Sequence, residues 1–165
     1  MVLHAKQQYL WKYFNMTKKY TIYFCTLFNL GFISSMPGTL GSLVAIPFGY
    51  LILKYHGIWV LIFTVIALII ISFFLISKYL QINETNDPQE VIIDEFVGQL
   101  IALIFISDHI IDLFACFFLF RLFDVLKIFP VNKAEKFPGA VGVIADDIVA
   151  GLMAGTILII FNILG

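Results

Sequence analysis

The run IWVLIFTVIALIIISFFLI, residues 58–76, is interrupted only by Thr64 and Ser72. As a helix rising about 1.5 Å per residue it measures roughly 28 Å, the depth of a bilayer's hydrocarbon core. Its neighbours extend the theme. Residues 43–53 form a shorter apolar stretch that leads into a turn at Lys54-Tyr-His-Gly57, and we read it as a tilted span, the alternative being a helix that dips in and returns. Residues 91–106 are apolar except for Asp94, Glu95 and Gln99. Residues 110–128 are apolar except for Asp112, Arg121, Asp124 and Lys127, and residues 143–164 except for Asp146, Asp147 and a few small or amide side chains. These runs predict an all-α, multi-pass helical membrane protein of about five apolar helices.

Composition agrees. Of the 165 residues 61% are hydrophobic and 13% charged, against about 25% charged in soluble domains. A mean hydropathy of +1.00 leaves too few polar side chains to clothe a globule, which argues against a free cytosolic enzyme and excludes intrinsic disorder. A net charge of −1 lacks the basic signature of a nucleic-acid binder. Cys25 and Cys116 have no metal-ligand or redox spacing, so no disulfide framework is expected. The length suits one domain, 1–165, with no internal repeat. Its first 30 residues mix Lys6, Lys12, Lys18 and Lys19 with Trp11, Tyr13 and Phe14, and lack the pattern of a cleaved signal peptide. This segment reads as an interfacial, amphipathic N-terminal helix, or else as a first core helix.

Alternating five spans puts the N-terminus and the loops at 81–90 and 129–140 on one side of the membrane. Every lysine and arginine except Lys54 then falls on or near that side, which the positive-inside rule makes cytoplasmic. The polar groups inside the apolar runs gather at the same face: Asp94 and Glu95 in the first turns of one helix, Arg121, Asp124 and Lys127 in the last turns of another, Asp146 and Asp147 in the first turns of a third. A carboxylate at such depth costs about 2.5 kcal/mol or more unless paired or hydrated. Convergence is therefore evidence of a site.

Its pieces have local readings too. Asp87-Pro-Gln-Glu90 has the order of an N-cap, a first-turn proline and a third-position acid. Capping accounts for Asp87 and Glu90 but not for Asp94, which lies seven residues on and close to the face of Asp87. Arg121, Asp124 and Lys127 recur every third residue, two cations flanking an anion on one broad face. Lys127 alone is explained by snorkelling, whereas a guanidinium and an ammonium together receive phosphate. Asp146 and Asp147 point about 100° apart, so only one need reach a shared centre, with helix-dipole complementarity as the plainer account. Pro37-Gly-Thr-Leu-Gly-Ser42 reads as a flexible turn ahead of an apolar helix, whose exposed amides could cradle an anion or whose hydroxyls could simply cap it. His4, His56 and His109 lack ligand spacing, Asp108 reads as a cap, and Asp112 is unassigned.

Together these residues describe a divalent-metal phosphate site at a membrane surface. Oxygen donors without thiolate or imidazole favour Mg²⁺ over zinc. The substrate class is then a phospholipid or lipid phosphate, hydrolysed by in-line attack of water while the cations stabilise the equatorial oxygens. Cysteine-x5-arginine, aspartate-x-aspartate and paired-histidine signatures of covalent phosphatases are missing, as is the D-G-x-x-A-R pattern of phosphoalcohol transferases. The rival from another class is a small transporter or channel with an acidic ion site. It would call for mid-span charges and duplicated halves, and the sequence has neither.

Four blocks, in order, carry a resemblance to a known family: Pro37-Gly-Thr-Leu-Gly-Ser-Leu43; Asp87-Pro-Gln-Glu-Val-Ile-Ile-Asp-Glu95 followed by Val97-Gly98; Phe120-Arg-Leu-Phe-Asp-Val-Leu-Lys127 with Pro130; and Gly142-Val-Ile-Ala-Asp-Asp-Ile-Val-Ala-Gly151. Together they resemble phosphatidylglycerophosphatase A, from about residue 25 to the C-terminus. Ile128 stands where that family commonly has proline, and 137–142 is less glycine-dense than usual. The resemblance implies a bacterial inner-membrane, Mg²⁺-dependent enzyme that converts phosphatidylglycerophosphate to phosphatidylglycerol, with its active site facing the cytoplasm. It further implies Asp94 and Asp146 as leading metal ligands, with Glu95, Asp124 and Asp147 as further ligands or as the base that orients water. Asp87 joins the metal group at its edge. Arg121 and Lys127 would grip phosphate, and Thr39, Ser42 and the amides around Gly41 would complete the anion pocket.

Overall fold

The computed structural model describes residues 17–85, 88–107 and 110–164. The part of the interfacial segment before residue 17, together with Asp87, Asp108 and His109, lies outside the described residues. Among those described, all regular structure is helical: α1 (17–25), a 3₁₀ turn Leu30–Phe32, α2 (Pro37–His56), α3 (Ile58–Asn83), α4 (Ile93–Leu103), α5 (Ile110–Leu126), α6 (Val131–Ala134) and α7 (Ala140–Leu164). The expected apolar runs fall on α2, α3, α4, α5 and α7. Three, α2, α3 and α7, are long and apolar enough to cross a membrane.

Boundaries shift for identifiable reasons. The 43–53 run belongs to a 20-residue helix that starts at Pro37, whose fixed φ suits a first helical position and whose missing N–H costs nothing there. It ends at Gly57, at φ +80°, and α3 begins at the next residue. Of the helix start expected at 87–90, the described residues 88–90 are not helical. Pro88 to Val91 make a turn, closed by the Val91 N–H on the Pro88 carbonyl at 3.0 Å, and α4 begins only at Ile93. Tertiary bonds override the local cap: Glu90 accepts the Tyr79 hydroxyl at 2.7 Å, and the Ile92 N–H reaches the Cys25 carbonyl at 2.9 Å. α5 closes at Leu126, where Lys127 turns into the left-handed region at φ 47°.

The 11-residue α4 is the centre of the bundle, with every residue buried except Glu95, which is partly buried. At about 1.5 Å per residue it reaches only some 16 Å, about half a bilayer core. Around it stand α2, α3, α5 and α7, whose outer faces carry bare apolar side chains such as Trp59, Phe63, Phe118 and Phe161, each at least 67% exposed. That is the pattern of a chain solvated by lipid, where helices associate through close packing of small residues. Gly49 admits Leu100 and Leu103 of α4 within 2.8 Å of where a Cβ would stand. Gly98 of α4 and Gly151 of α7 face each other at a second close crossing.

Candidate active site

Four helix ends meet at one end of the bundle: the starts of α2, α4 and α7 and the finish of α5. They line a cavity of about 850 Å³, to whose wall the 135–139 loop also contributes. The order of the helices produces this gathering. Each apolar run carries its charges at the end that the topology brings to this face.

Asp94 and Glu95 open α4, where the positive end of the helix dipole favours acids. Asp147 comes from the second turn of α7. One carboxylate oxygen from each of the three lies within 4.8 Å of the other two. Asp94 and Asp147 are at most 5% exposed, and Glu95 Oε2 and Asp147 Oδ1 are buried without a hydrogen-bond partner. The Gly98–Gly151 crossing sets their distance. A Cβ on Gly98 would stand 2.8 Å from the Asp147 carbonyl and 2.6 Å from the Phe120 ring, so only glycine lets α4 approach α7 one turn from the acids. Gly38 of α2 serves similarly, since a Cβ there would overlap Glu95 Oε1 and stand 3.1 Å from Arg121 Nη1.

Beside the acids runs a chain of ion pairs. Arg121 Nη1 donates to Asp124 Oδ2 at 2.5 Å, and Lys127 Nζ lies 3.4 Å from Asp124 Oδ1 and donates also to Asp146. Asp146 is thus engaged by Lys127, while its second oxygen accepts the Asp147 N–H at 2.9 Å. Burial alone would lower the Lys127 ammonium, but its hydrogen bond to Asp146 and the charges of Asp146, Asp124 and Asp147 hold it above the ordinary lysine range.

The cavity wall therefore includes Asp94, Glu95, Asp124, Asp146, Asp147, Arg121, Lys127 and Thr39. Gly41 and Ser42 are placed elsewhere. Because α2 is already helical at Pro37, helix phase turns both residues toward the core. Gly41 faces the Ile92 carbonyl, 2.8 Å from where a Cβ would stand, and the buried Ser42 hydroxyl donates to the Gly38 carbonyl at 2.9 Å. The amides left open at this helix start are those of Gly38 and Thr39. The grouping of acids differs as well: Asp147, not Asp146, joins Asp94 and Glu95. Asp87 lies outside the described residues, but its neighbours Pro88 and Gln89 line the cavity. Glu135, Phe137 and Ser35 line it too. No local pattern in the sequence marked those three. Their only signal was position beside the quoted blocks.

Six carboxylates, Glu135 included, against two cations leave this cavity with excess negative charge. Oxygen donors in that arrangement, two with unpartnered buried atoms, fit a hard divalent ion. Fold and cavity together define a helical membrane protein with an acidic, cation-flanked site at one end of its bundle.

The sequence model of the phosphatidylglycerophosphatase A family matches residues 23–162. The chain is 34% identical over 139 residues to the phosphatidylglycerophosphatase A of Haemophilus influenzae, covering 82% of this chain and 83% of the relative. It is 34% identical over 134 residues to that of Escherichia coli, covering 79% and 77%. A protein of Bacteroides thetaiotaomicron, provisionally named a phosphatidylinositol-3-phosphatase, is 35% identical over 135 residues, covering 77% and 84%. No solved structure matches. The chain belongs to the phosphatidylglycerophosphatase A family and is a phosphatase.

Proposed function

We propose that this protein hydrolyses the terminal phosphate of phosphatidylglycerophosphate, releasing phosphatidylglycerol and inorganic phosphate, with Mg²⁺ as cofactor, at the cytoplasmic face of a bacterial inner membrane. The observation that carries the metal is the charge imbalance. A phosphate dianion approaching six carboxylates and two cations is repelled unless further positive charge is present, and Asp94, Glu95 and Asp147 offer converging oxygens to hold it. Bound there, Mg²⁺ would supply Lewis-acid polarisation of the phosphoryl group.

The chain's own groups do the rest. Arg121 and Lys127 take the phosphoryl oxygens, exchanging part of their bonding to Asp124 and Asp146 for bonds to substrate. Thr39 and the open amides of Gly38 and Thr39 face the same anion from α2. A carboxylate of the acidic group accepts a proton from the attacking water as its oxygen bonds to phosphorus. The bond to the glycerol oxygen breaks, and the proton held by that carboxylate passes to this oxygen, which leaves as the lipid's hydroxyl and restores the carboxylate. Support for the cytoplasmic face comes from Lys78, Lys133 and Lys136 near the cavity end, against Lys54 at the opposite end of α2.

The test is phosphate release from phosphatidylglycerophosphate in detergent micelles with Mg²⁺ or with chelator. Metal-dependent release lost in Asp94→Asn supports the reading, and release that survives chelation overturns its metal. Phosphatidylinositol 3-phosphate belongs in the same panel because of the name of the Bacteroides relative. Preference for that lipid would overturn the substrate.

A further inference from the structure

A lipid phosphatase must admit a headgroup to a polar cavity while the acyl chains stay in the bilayer, so its wall needs an opening edged with apolar side chains. Three strongly exposed apolar residues line this cavity: Met36 at 68%, Val125 at 64% and Phe137 at 56%. Met36 and Val125 flank the side where the start of α2 faces the end of α5. There Val125 is the last member of an unbroken exposed stripe along α5, with Ile111, Phe114, Phe118 and Leu122, each at least 47% exposed. At about 100° per residue those five fall within about 80° of one another, while the buried Phe120 and Phe123 occupy the opposite side. Arg121 sits about 60° from the middle of the stripe, and Val125 stands one turn beyond it. One helix thus carries a phosphate-binding cation and a lipid-facing track side by side.

Phe137 lies differently. It belongs to the loop between α6 and α7, among the exposed Glu135, Lys136, Pro138 and Gly139. The apolar groove between Phe73 of α3 and Ile144 and Ile148 of α7 lies on the side of α7 turned away from Asp146 and shares no lining residue with the cavity.

We infer that the lipid substrate enters sideways between α2 and α5, its glycerol backbone crossing between Met36 and Val125 and one acyl chain lying along Leu122 and Phe118. This rests on the proposed lipid-phosphate substrate. It goes further in making Val125 and Leu122 determinants of preference for an amphiphile over a soluble phosphomonoester.

The test compares dioleoyl phosphatidylglycerophosphate in mixed micelles with its dibutanoyl counterpart, soluble as monomers, through the ratio of kcat/KM for the two. In Val125→Ser and Leu122→Ser, checked for wild-type elution and melting, that ratio falls about five-fold or more, while Phe137→Ser keeps it. A ratio that falls in Phe137→Ser but not in the α5 variants moves the opening to the loop and overturns the inference. A ratio indifferent to all three overturns it as well. Wild-type protein inert on both substrates would instead defeat the parent reading and this one with it.

Discussion

The carbonyl of Gly98 lies directly over the Cα of Gly151, so closely that a methyl group on Gly151 would overlap it and stand 3.1 Å from Ile101 Cβ. One turn away are Asp94 and Glu95 on one helix and Asp147 on the other. Gly98→Ala or Gly151→Ala should therefore separate α4 from α7. Overpacking of this kind costs about 1–3 kcal/mol, and a shift of about 1 Å at reacting groups costs about 100-fold in rate. Activity should fall more steeply than melting temperature. A Gly98→Ala protein of full activity would show that the crossing does not set the spacing of the acids.

Substitution of the acids should separate catalysis from folding. Asp94→Asn, Glu95→Gln and Asp147→Asn each remove one of three mutually repelling charges, so the chelated protein should melt no lower than wild type, while turnover drops about 100-fold or more. Added Mg²⁺ at about 100 times its Kd should raise the wild-type melting temperature by roughly 5–10 °C. In the three variants this rise should shrink or vanish. Differential scanning fluorimetry with and without chelator reads it.

Arg121 and Lys127 should not be exchangeable. Arg121→Lys keeps the charge but loses the planar fork that meets Asp124 at 2.5 Å and would meet phosphate, so kcat/KM should fall about 100-fold. Lys127→Met leaves Asp146 buried without its cation and should both inactivate and destabilise. Steady-state kinetics alongside a thermal melt distinguishes the two outcomes.

Tyr79 is a quieter case. Its hydroxyl anchors Glu90, at the turn that leads into Asp94. Tyr79→Phe should cost about 1 kcal/mol of stability and a few-fold in kcat, with little change in KM. A wild-type kcat would mean that the turn needs no such anchor.

Cys25 closes α1 against this same turn, its carbonyl accepting the Ile92 N–H. Burial pushes its thiol up to about 12, because the thiolate would lose its hydration. In detergent at pH 8 the thiol should stay unlabelled by a maleimide over hours. Rapid labelling would show that α1 does not pack as described.

The charged members of the site were legible because a charge inside a long apolar run stands out in one dimension. Asp94, Glu95, Arg121, Asp124, Lys127, Asp146 and Asp147 all line the cavity for that reason. What depends on helix phase was not legible. Moving the start of α2 from about residue 43 to Pro37 turned Gly41 and Ser42 away from the cavity, although both sit in the same motif as Thr39. The pairing at 87–90 misled for another reason: a cap is a local economy of a few hydrogen bonds, and Tyr79 and Cys25 offered partners from elsewhere. Asp112 shows the same limit. It receives the Ser107 N–H and the Asn162 amide from a residue fifty positions away, which no spacing rule reaches.

α4 meets protein on every side, so its height within the membrane is dictated by its neighbours and not by the lipids outside. In a thicker or thinner bilayer the outer helices can lean to match, as a ring of posts does around a fixed hub. The mutual spacing of the groups at the hub's tip is then insulated from lipid composition, and an organism that remodels its fatty acids would keep this step running.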